Sequence, residues 1–285
     1  TMDTIIILGA GQFGQACAGL INTASTRLLA FGDNNASLWG SSLEGIPVVS
    51  VEEAVRLTPD CALIAVTDKE RTDCLLTQAE KAGFSGQFLF LGDLYRQFDI
   101  RSATLRRMAQ RINQADVPGD IAELGVYRGD LARQLNALFP DRTLHLFDTF
   151  EGFDARDIEE ESRRDCSRAR QGDFSDTSLP FVRSRLPHPL QARFHKGFFP
   201  ESAAGLNDCR FALVSLDADL YAPVLAGLEY FYPRLHTGGM ILLHDYNNRR
   251  FRGAARAVED YENIHGKLGL VPLCDLHGTA VILRP

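Results

Sequence analysis

No stretch of this 285-residue chain approaches the roughly 18 consecutive apolar residues that a membrane-crossing helix needs, so a membrane partner is not expected. Positive charge is also in short supply. Lys and Arg number 30 against 37 Asp and Glu, a net charge of −7, whereas a nucleic-acid partner would want a basic face. The six cysteines (17, 61, 74, 166, 209 and 274) include no CxxC pair, which leaves zinc ligation without a supporting spacing. Several lie in apolar stretches and read as buried free thiols of a reducing cytoplasm. The start, Thr1-Met2-Asp3-Thr4, runs into Ile5-Ile6-Ile7-Leu8 without the basic flank and cleavage site of a signal peptide, which again predicts a cytoplasmic protein. Repeats and low-complexity tracts are missing as well. What is present is ordinary for a globular protein, 45% hydrophobic and 24% charged, at a length that accommodates two domains.

Short apolar runs alternate with helical patterns along the chain. The first are Ile5–Leu8, Arg27–Phe31, Ile46–Val49, Cys61–Val66 and Phe88–Leu91, with helical periodicity over Phe13–Ile21 and Lys69–Ala82 and a short helix opened by Ser50. Buried strands separated by helices predict a parallel, doubly wound sheet. This small Rossmann-like domain is assigned to 1–99, and a charged amphipathic helix forms a connector over 100–118, broken at Pro118-Gly119. The alternation restarts over 119–285 with Ile121–Leu124, Thr143–Phe147, Ala192–His195, Phe211–Leu216 and Met240–Leu243. Leu270–Leu273 and Thr279–Leu283 read as a closing antiparallel hairpin, which ordinary dinucleotide folds lack. The expected fold class is therefore α/β, two tandem doubly wound domains, the second ending in a hairpin. Ala155–Gln171, rich in acids and then arginines, reads either as a solvated helix laced with ion pairs or as a mobile lid.

Two glycine motifs suggest ligands. Gly9-Ala10-Gly11-Gln12-Phe13-Gly14 matches GxGxxG between a strand and a helix, and Asp33 ends the next strand where it could accept hydrogen bonds from a ribose. A nucleotide at Gly9, Gly11, Gly14 and Asp33 is one reading; the other is a turn that packs its helix closely on the strand. In the second half, Glu123-Leu124-Gly125-Val126-Tyr127-Arg128-Gly129-Asp130 leaves room for a bulky ligand without a pyrophosphate. Asp148 stands at the tip of the following strand, placed to grip both hydroxyls of a ribose. Gly197 and Phe198 follow the third strand, with Phe199, and suit a flat adenine. All three elements fall at carboxyl ends of strands, where open α/β sheets bind ligands.

Acids also end the fourth and fifth strands of that half: Asp217 and Asp219, then His244, Asp245, Asn247 and Asn248. Neighbouring parallel strands would bring them to one spot. Two carboxylates, a histidine and an amide could hold a divalent cation that activates a substrate hydroxyl, with Asp217 and Asp245 as ligands. Without a metal, His244 or Asp217 could act as general base. The alternative has Asp217 or Asp219 capping the following helix and His244 a satisfied core residue.

The segments AELGVYRGD, LFDTFEGF, GDFSDTS, KGFFPES, LDADLY, LEYFYPRLHTGGMILLHDY, GAARAVEDY and GTAVILR, collinear from about residue 120, resemble the macrocin O-methyltransferase family. The resemblance implies a class I methyltransferase fold. It implies S-adenosylmethionine bound through Glu123, Gly125, Tyr127, Arg128, Gly129, Asp148, the Asp173-Phe174 segment and the Gly197-Phe198 segment, and a sugar, glycan or glycosylated natural product as hydroxyl acceptor. It also implies magnesium at Asp217 and at a paired Asp-Asp after the fifth strand. The chain departs there, because His244 stands where the first acid of the pair is usual and magnesium prefers oxygen ligands, so a base at His244 stands beside the metal reading. Residues 4–95, through ILGAGQFGQ, FGDNN and GIPVVS, resemble the nucleotide-sugar-binding Rossmann domains of sugar-modifying enzymes. A homo-oligomer is expected. Competing readings are a nicotinamide-dependent oxidoreductase using the first GxGxxG, which lacks a catalytic pair near that sheet, and a non-catalytic nucleotide sensor.

Overall fold

Two sheets carry the fold, each assembled from the short apolar runs between turns. In the computed structural model, which describes residues 2–285, the chain divides into two compact units. One takes the described residues through Asp99 with Cys274–Leu276; the other takes Ile100–Leu273 and His277–Pro285.

The first unit runs β1 (Asp3–Leu8), α1 (Gln12–Ala18), β2 (Thr26–Gly32), β3 (Ser42–Leu43), β4 (Ile46–Val49), α2 (Val51–Arg56), β5 (Cys61–Ile64), α3 (Lys69–Lys81), β6 (Gln87–Phe90) and α4 (Leu91–Gln97). Its strand order is β3-β4-β2-β1-β5-β6, parallel in every pairing except β3 with β4. Helices cover both faces, so successive residues Ile6, Ile7 and Leu8 of the central strand are all fully buried. Ser50 and Glu53 form a reciprocal capping box that starts α2.

The second unit runs α5 (Ile100–Gln114), β7 (Asp120–Leu124), α6 (Asp130–Leu138), β8 (Leu144–Asp148), α7 (Ala155–Arg163), α8 (Leu179–Arg185), β9 (Ala192–Lys196), β10 (Phe211–Leu216), α9 (Tyr221–Phe231), β11 (Leu235–Leu243), α10 (Gly253–His265), β12 (Gly269–Pro272) and β13 (Ala280–Leu283). The order is β12-β13-β11-β10-β7-β8-β9, with β7 to β11 parallel and β13 antiparallel to both its neighbours. All six residues of β10 are buried, as a central strand covered on both faces requires. Phe147, Phe211 and Phe231, each fully buried, pack edge to face in one of the two cores flanking this sheet.

Three expectations take a definite form here. The amphipathic helix expected over 100–118 is α5, and it packs into the second unit: its Leu105, Met108, Ala109 and Ile112 are buried in the same core as Ile121 and Leu213. The Ala155–Gln171 stretch is helical only through Arg163, where Glu160 pairs with Arg163 and Arg164, and buried Glu161 accepts from the Tyr221 amide at 2.9 Å. Of the six free thiols, Cys17 and Cys166 are buried, but Cys74 and Cys274 are exposed. Among the described residues, no helix is long and apolar enough to cross a membrane.

Candidate functional site

The tips of five parallel strands in the second unit are tied into one hydrogen-bonded row. Gly197 N–H donates to Asp148 O (3.0 Å), Gly125 to Phe147 O (3.0 Å), Asp217 to Leu124 O (2.9 Å) and His244 to Leu216 O (2.9 Å). The residues singled out at each tip are thereby fixed in sequence across β9, β8, β7, β10 and β11. Gly125 has φ +85°, and a Cβ there would lie 2.0 Å from the carbonyl oxygen of Asp217, so only glycine lets the two loops approach this closely.

Asp148 organises the loop after β7. Its Oδ2 accepts the amides of Val126 (2.7 Å) and Tyr127 (2.9 Å), and its Oδ1 accepts Phe150 N–H (2.6 Å). A carboxylate has about four acceptor positions, so one is left for a ligand hydroxyl. The Tyr127 hydroxyl donates to Asp176 (2.6 Å), Arg128 lies 3.5 Å from the same carboxylate, and the Thr177 hydroxyl donates to Tyr127 O. Gly129 caps α6 in the left-handed conformation. Phe174 meets Tyr127 and Phe153 edge to face, both at 5.2 Å. Asp173 turns into its own loop, accepting Arg170 N–H at 3.0 Å. Phe198 is covered by the Arg156 guanidinium 3.5 Å above its ring, and Phe199 is buried in the core. Glu123 is buried, its Oε2 without a partner among the described residues. Burial pushes its carboxyl well above the usual range, which the nearby Arg101 only partly offsets.

Beside this cradle lies a compact charge cluster. His244 Nδ1 stands 2.9 Å from Asp217 Oδ1 and 3.0 Å from Asp245 Oδ2, and Arg101 Nη2 stands 2.9 Å from Asp217 Oδ2. Asp245 also accepts from the Asn248 side chain. Burial opposes ionisation of Asp217, yet the charges of Arg101 and His244 outweigh it and hold the carboxyl well below its ordinary range. Burial likewise opposes an imidazolium at His244, but the Asp217 carboxylate outweighs it and brings the ring to about 9. Asp219, desolvated and facing Asp217, is pushed well up and shares a hydrogen bond with Asp245. Asp245 is held low despite burial by its contact with His244.

Ligand atoms of Asp217, Asp219, His244 and Asp245 lie within 4.8 Å of one another, close enough to surround an ion. The donor set does not fit magnesium. Both Asp217 oxygens face a cationic side chain, His244 contributes a nitrogen, and Asp245 meets His244 and Asn248.

The structure thus brings Asp217, His244 and Asp245 together, and joins Glu123, Gly125, Tyr127, Arg128, Gly129 and Asp148 in the neighbouring loop. The side chains of Asp173 and Phe198 are engaged elsewhere. Sequence reasoning missed Arg101, although it lies one and two turns before Leu105 and Met108 on the buried stripe of α5. In the first unit, Asp33 accepts from the Ala10 amide (2.7 Å) and the Asn35 amide (2.7 Å). A Cβ at Gly14 would lie 1.9 Å from Gly9 O, whereas one at Gly11 would meet nothing within 4 Å.

The family described as macrocin O-methyltransferase (TylF) matches residues 99–284. The chain is 31% identical over 180 residues, covering 59% of it and 66% of the relative, to the 8-demethyl-8-(2,3-dimethoxy-alpha-L-rhamnosyl)-tetracenomycin-C 4'-O-methyltransferase of Streptomyces olivaceus. It is 30% identical over 162 residues (53% of this chain, 63% of the relative) to the mycinamicin III 3''-O-methyltransferase of Micromonospora griseorubida. The matched stretches thus span less than two thirds of these relatives. Among solved structures, the calicheamicin methyltransferase CalS11 superposes with a TM-score of 0.50 at 21% identity, covering 64% of this chain and 77% of that one. That likeness bears on the fold alone.

Proposed function

Because the chain belongs to the macrocin O-methyltransferase family, we propose that its second unit methylates a sugar hydroxyl, free or within a glycan or glycosylated natural product, using S-adenosylmethionine. The observation that carries this reading is the Asp217–His244 pair set directly beside the Glu123–Gly125–Asp148 cradle on neighbouring strand tips. The relative named above as acting on a rhamnosyl tetracenomycin supports a sugar acceptor.

S-adenosylmethionine supplies an electrophilic methyl group, and the acceptor oxygen must lose a proton as it attacks. Asp148 keeps one acceptor position for the ribose hydroxyls, and the unpartnered Oε2 of buried Glu123 is a second polar contact offered to the cofactor. His244 takes the acceptor proton. Asp217 and Asp245 both face Nδ1, which orients the ring and leaves Nε2 as the basic edge. Only the neutral ring can accept, so turnover rises with pH through the His244 ionisation near 9. Asp217 is held too acidic to be the base itself and acts by positioning His244. Holding acceptor and donor in line supplies most of the remaining acceleration.

The first unit reads as a ligand or positioning module. The open space at Gly11 and the Asp33 carboxylate favour a nucleotide-linked sugar over chemistry of its own. Thermal melting separates the cofactors: S-adenosylmethionine should raise the melting temperature and NAD should not. Stabilisation by NAD alone would favour the oxidoreductase reading.

A further inference from the structure

We propose that the reaction centre is metal-free, because Arg101 and His244 together occupy the position of a divalent cation among Asp217, Asp219 and Asp245. The inference rests on the methyltransferase reading for the purpose of the centre, but its test does not require methyl transfer.

The contacts supply the argument. A hard cation needs several free carboxylate oxygens converging on one point. Here each Asp217 oxygen already faces a side-chain nitrogen: Oδ1 stands 2.9 Å from His244 Nδ1, and Oδ2 stands 2.9 Å from Arg101 Nη2. The same Nδ1 reaches Asp245 Oδ2 at 3.0 Å, and Asp219 is tied to Asp245 by a hydrogen bond. Both oxygens of Asp217 and the near oxygens of Asp245 are thus already taken up by Arg101, His244 and Asn248. A dication added to this group would have to displace His244 Nδ1 from both carboxylates and would face the Arg101 guanidinium, whose side chain is largely buried, across a few ångströms.

Arg101 is also unable to step aside cheaply. It projects from α5, whose Leu105, Met108, Ala109 and Ile112 are locked in the core, and its side chain is only 14% exposed. Its Nη2 additionally lies 3.5 Å from the Ser215 hydroxyl on β10. Swinging it outward would strand Asp217, and a buried ion that loses its partner costs several kcal/mol. Arg101 is therefore a positioning residue. It fixes Asp217, which in turn orients His244.

Titration of the full chain with Mn²⁺ after exhaustive chelation, followed by the electron paramagnetic resonance signal of free Mn²⁺, tests this directly. The wild-type protein should take up no stoichiometric Mn²⁺, and Arg101→Lys, which keeps the charge, should behave likewise. The double substitution Arg101→Ala, His244→Asp frees the Asp217 oxygens of both side-chain nitrogens and adds an oxygen ligand, so it should take up one Mn²⁺ per chain. Wild-type uptake of one Mn²⁺ per chain that is lost in Asp217→Asn would overturn the proposal. So would a folded double variant that binds none. The wild-type titration decides the question alone if the double variant does not fold.

Discussion

Replacing Asp148 by Asn changes one oxygen into an amide nitrogen with almost no change in size. In the native loop, Oδ2 takes two amide donors at 2.7 and 2.9 Å, and Oδ1 takes Phe150 N–H at 2.6 Å. The Asn oxygen will stay with the two donors, which turns its NH₂ group toward Phe150 N–H, donor against donor. Losing one charge-assisted hydrogen bond costs about 1.5–3 kcal/mol of stability. The remaining acceptor position lies on Oδ1 and disappears with it, so a ribose hydroxyl bound there loses a similar amount, roughly ten- to a hundred-fold in affinity. Calorimetric titration with S-adenosylmethionine, well below the variant's melting temperature, separates the binding loss from the stability loss. A folded Asp148→Asn protein that binds as tightly as wild type would refute both the assignment of this carboxylate and the placement of the cofactor beside β8.

Four further outcomes follow. Gly125→Ala forces a Cβ to within 2.0 Å of Asp217 O at φ +85° and should cost on the order of 3 kcal/mol or more, whereas Gly172→Ala, at φ +80° in open space, should cost about 1–2 kcal/mol, both read from denaturant midpoints. Asp217→Asn should lower kcat at least a hundred-fold while leaving S-adenosylmethionine affinity within a few-fold of wild type; the reverse pattern in calorimetry would place Asp217 in cofactor binding instead. In the first unit, Gly14→Ala should destabilise strongly and Gly11→Ala hardly at all in thermal melts, because only the former collides with Gly9 O. The fourth concerns pH. Burial, then the neighbouring His145, lowers His195 to about 4. Below the ordinary value of 6.5 the unfolded chain binds this proton and the native chain does not, so stability falls as pH drops from about 6.5 to about 4. Given the partial exposure of His195, the contribution is on the order of 1–2 kcal/mol. His195→Asn should flatten that limb of the stability curve, and an unchanged curve would contradict the assignment.

The central strands were legible because each is a short apolar run between turns, and the parallel order put acids at neighbouring tips. Asp217 and Asp245, 28 positions apart in sequence (245 − 217), meet because β10 and β11 pair in parallel register. Other features carry weaker signals. β11 begins at Leu235, well before its apolar run, because Leu235 pairs with Phe211 and the register then jumps to Met240 across His236, Thr237 and two glycines that no periodicity marks. β3 has two residues and no pattern to find. The exposed Cys74 sits on a charged helix, where a thiol follows the face of the helix and not the compartment rule. Arg101 was the costliest omission. A charged residue at the start of a charged helix looks solvated, and its role emerges only when the helix stripe is drawn and the acid it meets, far along the chain, is known.

Methyl transfer itself is the most direct test of this site. The full chain incubated with isotopically labelled methyl-S-adenosylmethionine and a panel of deoxysugar acceptors, nucleotide-linked and aglycone-linked, should produce S-adenosylhomocysteine in step with one labelled methyl ether on a sugar oxygen. The rate should rise toward pH 9, and Asp217→Asn should abolish it. A protein that binds S-adenosylmethionine yet delivers the label to nitrogen or carbon, or one whose Asp217→Asn variant transfers at the wild-type rate, would contradict the assignment.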